Sequence, residues 1–291
     1  MHRFEYLSPA TLSEAVSMLD RCGASARVIA GGTDLITAFK EGWDRPAWVI
    51  NLADLGELDF IKYDLIDGLR IGAGTTVRDV ELSALVRARY PVVSAAAATL
   101  ASIQIRNLAT VAGNICRASP SADMPPALLV LDASIVLIGP DGERSVPLSE
   151  LFIGPGKTVI ASNEILKEIH LPPVQAHSGE VYIKHCPRQA MDLASIGIAA
   201  GLTLAAGKIS KARIALGAVA PTPRRSLKAE DVLIGQVPSP DLFGKAAEYA
   251  AADAQPIGDI RASASYRHKM VGVLVHRALD QALELAERNN S

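Results

Sequence analysis

The chain has 291 residues, of which 49% are apolar, and this is enough to build one large or two medium-sized domains around their own cores. Its 29 basic and 31 acidic residues leave a net charge of −2, without the basic excess that nucleic-acid binding needs. The cysteines Cys22, Cys116 and Cys186 are too few and too far apart for a disulfide framework, a metal site or an iron–sulfur site. The uncharged stretch at residues 193–207 is too short to span a membrane as a helix, and the N-terminus lacks an apolar signal core, so we expect a cytoplasmic protein.

The first half of the chain alternates between helical patterns and short strands. A capping-box pattern at Thr11 and Glu14, followed by apolar residues at helical spacing, predicts a helix that ends near Gly23. The elements predicted after it are strands over 27–30 and 48–52, helices over 35–40, 77–87, 92–100 and 124–132, and hairpins that turn at Asp67-Gly68 and Asp141-Gly142.

A domain boundary is predicted near Pro172-Pro173, because the double proline and the polar segment 175–179 interrupt the pattern. The first domain would cover residues 1–175 and the second residues 176–291. The elements predicted for the second domain are strands over 181–184, 193–206 and 209–219, and helices over 226–233, 241–252 and 263–288.

The segment Ala30-Gly31-Gly32-Thr33-Asp34 joins a predicted strand to a predicted helix. Two glycines there let backbone N–H groups approach a phosphate without a Cβ in the way, and the start of a helix adds a partial positive charge. An ordinary tight turn, with Asp34 capping the helix, is the alternative for these five residues.

Two later segments have a similar character. Thr110-Val111-Ala112-Gly113-Asn114 combines a hydroxyl, a glycine and an amide in an uncharged, turn-rich region, and with the first loop it could hold a pyrophosphate through backbone donors. A plain Gly-Asn turn is the alternative. Asp123, in Ser119-Pro120-Ser121-Ala122-Asp123, either bonds a polyol hydroxyl of a cofactor or caps the next helix.

Two glycine-rich segments fail as nucleotide-binding motifs. Gly154-Pro155-Gly156-Lys157-Thr158 resembles the end of a P-loop, but the earlier glycine that the motif requires is replaced by Leu151. Gly72-x-Gly74 has Val77 in place of the third glycine of the dinucleotide-binding fingerprint. A P-loop nucleotide hydrolase is therefore disfavoured.

Taken together, four motifs resemble those of one family in both order and spacing. They are A-G-G-T-D-L at 30–35, I-G-A-x-T-T at 71–76, Q-I-R-N-x-A-T-x-A-G-N at 104–114 and S-P-x-A-D-x-x-P from residue 119. The chain resembles, over nearly its whole length, the FAD-binding medium subunit of the xanthine dehydrogenase and carbon monoxide dehydrogenase family of molybdenum hydroxylases.

The resemblance implies an α+β fold, with a p-cresol methylhydroxylase-type FAD domain of two subdomains and a smaller C-terminal domain of three antiparallel strands and helices. It implies FAD as cofactor and no metal in this chain. Redox chemistry belongs to the flavin, so no catalytic acid or base is assigned. The residues that the resemblance places around FAD are Val28, Ile29, Ala30, Gly31, Gly32, Thr33, Asp34, Leu35, Leu100, Thr110, Val111, Ala112, Gly113, Asn114, Asp123, Leu166 and Lys184.

Leu100 stands where some relatives place an aromatic side chain near the flavin ring. Lys184 would stabilise the reduced, anionic ring; otherwise it is a surface lysine at the end of a strand. The family has glycines where this chain has Ala109 and Ala112, and a methyl group at Ala112 would lie where the backbone approaches a phosphate.

The implied partners are a large molybdopterin-binding subunit and a small subunit with [2Fe–2S] clusters, in a heterotrimer or its dimer. Electrons would pass from those clusters through the FAD to NAD⁺ or another acceptor. The alternatives are a stand-alone FAD-dependent oxidase or reductase of the same flavin fold, and an assembly scaffold that has lost FAD.

Overall fold

A small parallel sheet forms the N-terminal part of the fold. The computed structural model describes residues 2–188 and 191–289. The elements of this part are β1 (Glu5–Leu7), α1 (Leu12–Cys22), β2 (Ala26–Ile29), α2 (Leu35–Glu41) and β3 (Trp48–Asn51). The strands lie in the order β1-β3-β2, with β3 parallel to both neighbours. The predicted cap of α1 is confirmed, because the Thr11 hydroxyl accepts a hydrogen bond from the backbone N–H of Glu14 at 3.2 Å.

A five-stranded antiparallel sheet follows, in the order β4-β5-β10-β6-β7. Between β5 and β6 the chain forms a cluster of six helices that covers the sheet. The elements of this part are β4 (Ile61–Asp64), β5 (Gly68–Gly72), α3 (Val77–Leu82), α4 (Ala84–Arg89), α5 (Pro91–Thr99), α6 (Ile103–Arg106), α7 (Val111–Cys116), α8 (Met124–Leu129), β6 (Ser134–Gly139), β7 (Gly142–Pro147), α9 (Leu148–Leu151), β8 (Phe152–Gly154), β9 (Lys157–Thr158) and β10 (Ile165–Leu171). The main hydrophobic core lies between this sheet and the helices.

The helix predicted over 77–87 is two helices. Ser83 separates α3 from α4 in a non-helical conformation, and its hydroxyl accepts a hydrogen bond from the N–H of Val86 at 3.3 Å. Serine competes with helical hydrogen bonding in this way and favours cap positions over helix interiors. The apolar residues at helical spacing across residues 77–87 therefore lie on two short helices instead of one.

The C-terminal part is a four-stranded antiparallel sheet backed by helices. Its elements are β11 (Ser178–His185), β12 (Ile196–Ala205), β13 (Lys208–Gly217), β14 (Arg224–Arg225), α10 (Leu227–Asp231), α11 (Pro240–Asp253) and α12 (Ala264–Arg288). The three long strands match the predicted three-stranded sheet, and the two-residue β14 adds a short fourth strand beside β13. Apolar residues of α11 and α12 bury one face of this sheet in a second core.

Ion pairs join the helix-rich part to the C-terminal sheet. Asp132, just after α8, accepts from Lys211 at 2.7 Å and from both Arg213 and Arg225 at 2.9 Å. A separate ion pair joins Asp123 to Lys184 on β11. The pair of Lys184 with Asp123 brings the end of β11 to the start of α8, which places the predicted site residues of both parts close together. Within the described ranges, no helix has the length and apolar character needed to cross a membrane.

Candidate cofactor site

The two loops predicted to bind a pyrophosphate are in direct contact. A Cβ at Gly31 would lie only 1.8 Å from the carbonyl oxygen of Leu108 and 3.0 Å from the Cα of Ala109. Only glycine allows this approach, because any other residue would overlap the backbone of the second segment. Gly31 therefore packs the A-G-G-T-D loop against the segment that leads into Thr110.

Backbone N–H groups of the first loop are left free for a ligand. None of the residues described in the structure accepts a hydrogen bond from the backbone N–H of Gly31, Gly32 or Thr33. Gly32 has φ +67°, a conformation that glycine adopts without strain. Asp34 occupies the cap position of α2, but its side chain makes no capping hydrogen bond, so the alternative of a capped turn is wrong for Asp34.

The second loop is the start of a helix, so the alternative of a plain Gly-Asn turn is wrong. Thr110 caps α7, because its hydroxyl accepts from the N–H of Gly113 at 2.9 Å. The Asn114 side-chain oxygen is buried without a hydrogen-bond partner among the described residues. A buried amide oxygen without a donor is rare in proteins and is satisfied when a ligand or water supplies the missing group. The donor set and this amide fit the phosphates and hydroxyls of a dinucleotide.

A third segment supports the second loop. Thr76 and Thr110 form an isolated antiparallel bridge, and the N–H of Val77 donates to the carbonyl of Ala109 at 2.7 Å. The Thr75 hydroxyl donates to the carbonyl of Phe60 at 2.9 Å. The I-G-A-x-T-T motif thus acts here by holding the Thr110 segment in place.

Ala109 and Ala112 are buried in the main hydrophobic core. Their side chains are 9% and 5% exposed and belong to the main hydrophobic core, next to Val111. The expectation that the Ala112 methyl group faces a phosphate is therefore not supported, since that methyl group packs inward. This also removes the reason for considering a scaffold that has lost FAD.

We expect Ala112→Gly to destabilise the chain without changing its affinity for FAD. The variant loses a buried methyl group and places glycine in a helix, which together cost about 1–2 kcal/mol. Urea unfolding and FAD titration of the purified chain measure the two effects. FAD binding that becomes clearly tighter in the variant would show that the methyl group hinders the cofactor.

Asp123 and Lys184 form a buried ion pair. Lys184 Nζ lies 2.9 Å from Asp123 Oδ2 and 2.9 Å from the carbonyl oxygen of Thr99. The Tyr182 hydroxyl donates to the other carboxylate oxygen of Asp123 at 2.9 Å. The Lys184 and Asp123 side chains are only 8% and 7% exposed, so Lys184 is not a surface lysine. Asp123 makes no capping bond to α8, so that alternative is also wrong.

Burial has the largest influence on the pKa of Asp123. It raises the pKa of Asp123 above its ordinary value, while the Lys184 charge and the hydrogen bonds from Lys184 and Tyr182 oppose that rise. Burial, and next the negative charge of Asp123, raise the pKa of Tyr182 well above its usual range. Tyr182 therefore stays protonated and donates to Asp123 at neutral pH.

The remaining predicted residues are either buried in the main core or half-buried beside the glycine loop. Leu100 follows α5 directly after Thr99, and both Leu100 and Leu166 lie in the main core with Val111. Strand β10, which carries Leu166, lies against α7. Val28 and Ile29 form the end of β2, and Leu35 begins α2, so these three flank the glycine loop.

Two charged residues in this region were missed from the sequence. Arg106 donates to Glu81 at 2.8 Å and to the carbonyl of Leu100 at 2.8 Å, and its side chain is only 9% exposed. Burial opposes the ionisation of Glu81, but Arg78 and Arg106 together outweigh it, so the pKa of Glu81 lies below its ordinary value. Arg106 thus joins α3 to the end of α5 beside Leu100.

Tyr182 was also missed, although the sequence contains a signal for it. Residues two apart on a strand point to the same face, so the Y-x-K pattern on β11 predicts that Tyr182 and Lys184 lie together. The P-loop-like segment forms a small hairpin, in which Phe152–Gly154 pairs with Lys157–Thr158.

Comparison with known proteins agrees with this geometry. Residues 2–174 match the FAD binding domain in molybdopterin dehydrogenase, and residues 181–282 match the CO dehydrogenase flavoprotein C-terminal domain. The carbon monoxide dehydrogenase medium chain of Hydrogenophaga pseudoflava is 34% identical over 96% of this chain and 97% of that protein. A putative xanthine dehydrogenase FAD-binding subunit of Escherichia coli is 33% identical over 97% of this chain and 96% of that protein.

Solved structures show the same architecture. Carbon monoxide dehydrogenase from Hydrogenophaga pseudoflava, in a form that lacks the Mo-pyranopterin moiety of its cofactor, superposes with a TM-score of 0.94 at 35% identity, over 97% of this chain and 98% of that one. Quinoline 2-oxidoreductase from Pseudomonas putida superposes with a TM-score of 0.89 at 28% identity, over 99% of both chains. The predicted α+β fold class is confirmed.

The fold and the matched domains define the class of this protein, which is a flavoprotein subunit of an oxidoreductase with FAD as its cofactor. The chain belongs to the family of FAD-binding medium subunits of molybdenum hydroxylases, the family of carbon monoxide and xanthine dehydrogenases.

Proposed function

We propose that FAD binds where the glycine loop meets the Thr110 segment, with its pyrophosphate on the backbone N–H groups of Gly31, Gly32 and Thr33. The observation that carries the proposal is the contact of Gly31 with the Leu108 carbonyl, which brings these free donors against the segment that leads into α7, where the Asn114 side-chain oxygen is buried without a hydrogen-bond partner among the described residues. Backbone donors bind a pyrophosphate without basic side chains, in agreement with the net charge of −2.

The other end of the cofactor would lie near Leu100, Asp123, Leu166 and Lys184. Leu100 and Leu166 supply apolar surface from the main core. The Lys184 ammonium group and the Asp123 carboxylate supply a fixed charge pair. When bound, FAD supplies the redox chemistry, and the residues around it orient the ring and set its electrostatic environment.

Uptake of FAD by the purified full-length chain tests this assignment. We expect binding of one FAD per chain, with the visible absorption of a bound flavin and with affinity that falls when the Gly31 contact is disturbed. A chain that stays colourless in excess FAD would contradict the proposed site.

We further propose that the chain is an electron-transfer subunit of a larger complex. It would take electrons from [2Fe–2S] clusters of a small partner subunit, in a complex with a large molybdopterin-binding subunit, and pass them to NAD⁺ or another acceptor. The names of its relatives, a medium chain and an FAD-binding subunit, support this role, as does the exposure of the apolar Ile103 and Leu108 side chains beside the site. Purification from the native source, with molybdenum and iron analysis and an assay of NAD⁺ against other acceptors, distinguishes this role from a stand-alone oxidase.

Lys184→Met should lower the midpoint potential of the bound flavin. The variant removes a buried positive charge that would favour the reduced, anionic ring, and a change of about 1.4 kcal/mol corresponds to a shift of about 30 mV in a two-electron couple. Spectroelectrochemical titration measures the potential. Lys211→Met, which removes a lysine from the Asp132 cluster, is the matched control. An unshifted potential in Lys184→Met would refute a role for Lys184 beside the flavin.

The division into residues 1–175 and 176–291 and the cytoplasmic location stay predictions. Limited proteolysis of the purified chain tests the division, since cleavage near Pro172-Pro173 would release two stable fragments. Fractionation of the source cells tests the location.

A further inference from the structure

Tyr182 contacts the Asp123–Lys184 pair but is not among the residues assigned to FAD. It lies two positions before Lys184 on β11, so both side chains point to the same face of the sheet. Each oxygen of the Asp123 carboxylate has one donor, because Tyr182 bonds Oδ1 and Lys184 bonds Oδ2, both at 2.9 Å.

The opposite strand provides the space that the Tyr182 hydroxyl occupies. Gly197 on β12 pairs with Lys184, and a Cβ at Gly197 would lie 3.0 Å from the Tyr182 hydroxyl. The ring of Tyr182 packs against the main core. The hydroxyl is therefore held at one place beside Asp123.

We propose that Tyr182 is a positioning residue of the flavin site, whose hydroxyl fixes the Asp123 carboxylate and thereby fixes the Lys184 ammonium group. The inference rests on the proposed function, because it assumes that FAD binds beside this pair. Lys184 has three N–H donors, and the described structure shows acceptors for two of them, Asp123 and the Thr99 carbonyl. The third N–H is available to a ligand only while both acceptors hold the group in place.

Removal of the Tyr182 hydroxyl would leave Asp123 Oδ1 buried without a donor. The ionised carboxylate would lose one of the bonds that stabilise it, while burial would still favour the neutral acid. Lys184 and Tyr182 are the charged and titratable groups that influence the pKa of Asp123. Cys186 in turn influences the pKa of Tyr182. Protonation of Asp123 would remove its negative charge and so weaken its ion pair with Lys184.

The test compares Tyr182→Phe with the wild-type full-length chain. Infrared difference spectra across a pH titration report protonation of the Asp123 carboxyl group, and Asp123→Asn identifies its band. We expect the pH of protonation to rise by about one unit, the size expected for loss of one hydrogen bond to an ionised group. The pH at which the flavin midpoint potential changes slope should rise with it, while FAD content stays the same.

Tyr90→Phe is the matched control, because the Tyr90 hydroxyl is also a buried donor, to the carbonyl of Pro172 at 2.8 Å. Tyr90→Phe should leave unchanged both the pH of Asp123 protonation and the pH at which the flavin midpoint potential changes slope. Gly197→Ala keeps the tyrosine but displaces its hydroxyl, so it should raise the pH of Asp123 protonation and the pH of the slope change by smaller amounts. This variant replaces Tyr182→Phe in the test if Tyr182→Phe fails to fold.

The possible results separate the two proposals. If the wild-type chain takes up no FAD, the proposed function is overturned. If FAD binds, but neither Tyr182→Phe nor Gly197→Ala raises the pH of Asp123 protonation, only the role of Tyr182 is overturned.

Discussion

Gly31→Ala should weaken FAD binding by roughly 10- to 100-fold. The new Cβ would lie 1.8 Å from the carbonyl oxygen and 2.5 Å from the carbonyl carbon of Leu108, and backbone atoms at that distance have to move apart. Forcing an extra methyl group into a packed contact costs about 1–3 kcal/mol, which corresponds to one to two orders of magnitude in affinity. The displacement separates the two loops whose donors are proposed to bind the pyrophosphate. Fluorescence titration of the purified chain with FAD measures the effect.

Gly56→Ala is the matched control for this variant. A Cβ at Gly56 meets no atom within 4 Å, and its backbone φ is not in the left-handed region. The control variant should bind FAD with wild-type affinity. Equal affinities in Gly31→Ala and Gly56→Ala would mean that the contact between the loops is not needed for the cofactor.

Arg106→Met should destabilise the chain by about 3 kcal/mol. Arg106 and Glu81 are nearly buried, with side chains 9% and 11% exposed, and removal of one partner from a buried pair leaves an uncompensated charge. The expected loss is at the lower end of the range for such pairs because Arg78 still contacts Glu81 at 2.8 Å. The carbonyl of Leu100 also loses its donor. Urea unfolding measures the free energy, and FAD titration shows whether the end of α5 shifts.

Arg144→Met is the control for Arg106→Met. Arg144 pairs with Glu164, but its side chain is 46% exposed, and exposed pairs contribute about 0–1 kcal/mol. A variant with Arg106→Met and Glu81→Leu should regain part of the lost stability, because it no longer buries a lone charge. Equal losses in Arg106→Met and Arg144→Met would contradict this account of the buried pair.

The same pair predicts a change in acid stability. The pKa of Glu81 is lowered in the folded chain, so the pair contributes stability above the ordinary carboxyl pKa and loses it as the pH falls through the lowered value. In Arg106→Met the pKa of Glu81 rises toward or above its ordinary value. The variant should therefore differ most from wild type at neutral pH and least in acid.

The sequence by itself determined the features that depend on neighbouring residues. The Thr11 cap of α1, both hairpins with Asp-Gly turns and the glycine loop after β2 follow from local backbone preferences. Strand alternation likewise places Tyr182 and Lys184 on one face. The order and spacing of the four motifs were sufficient to predict the family.

Only the tertiary structure decided which distant groups meet. The contact of Gly31 with Leu108, the buried pair of Arg106 with Glu81 and the bonds from β11 to Asp123 each join separate segments. Side-chain direction at Ala112 was also decided by packing, since α7 turns that methyl group into the core. Local preferences act over a few residues, whereas these contacts form because burial of the shared core brings segments together and each buried polar group there requires a partner.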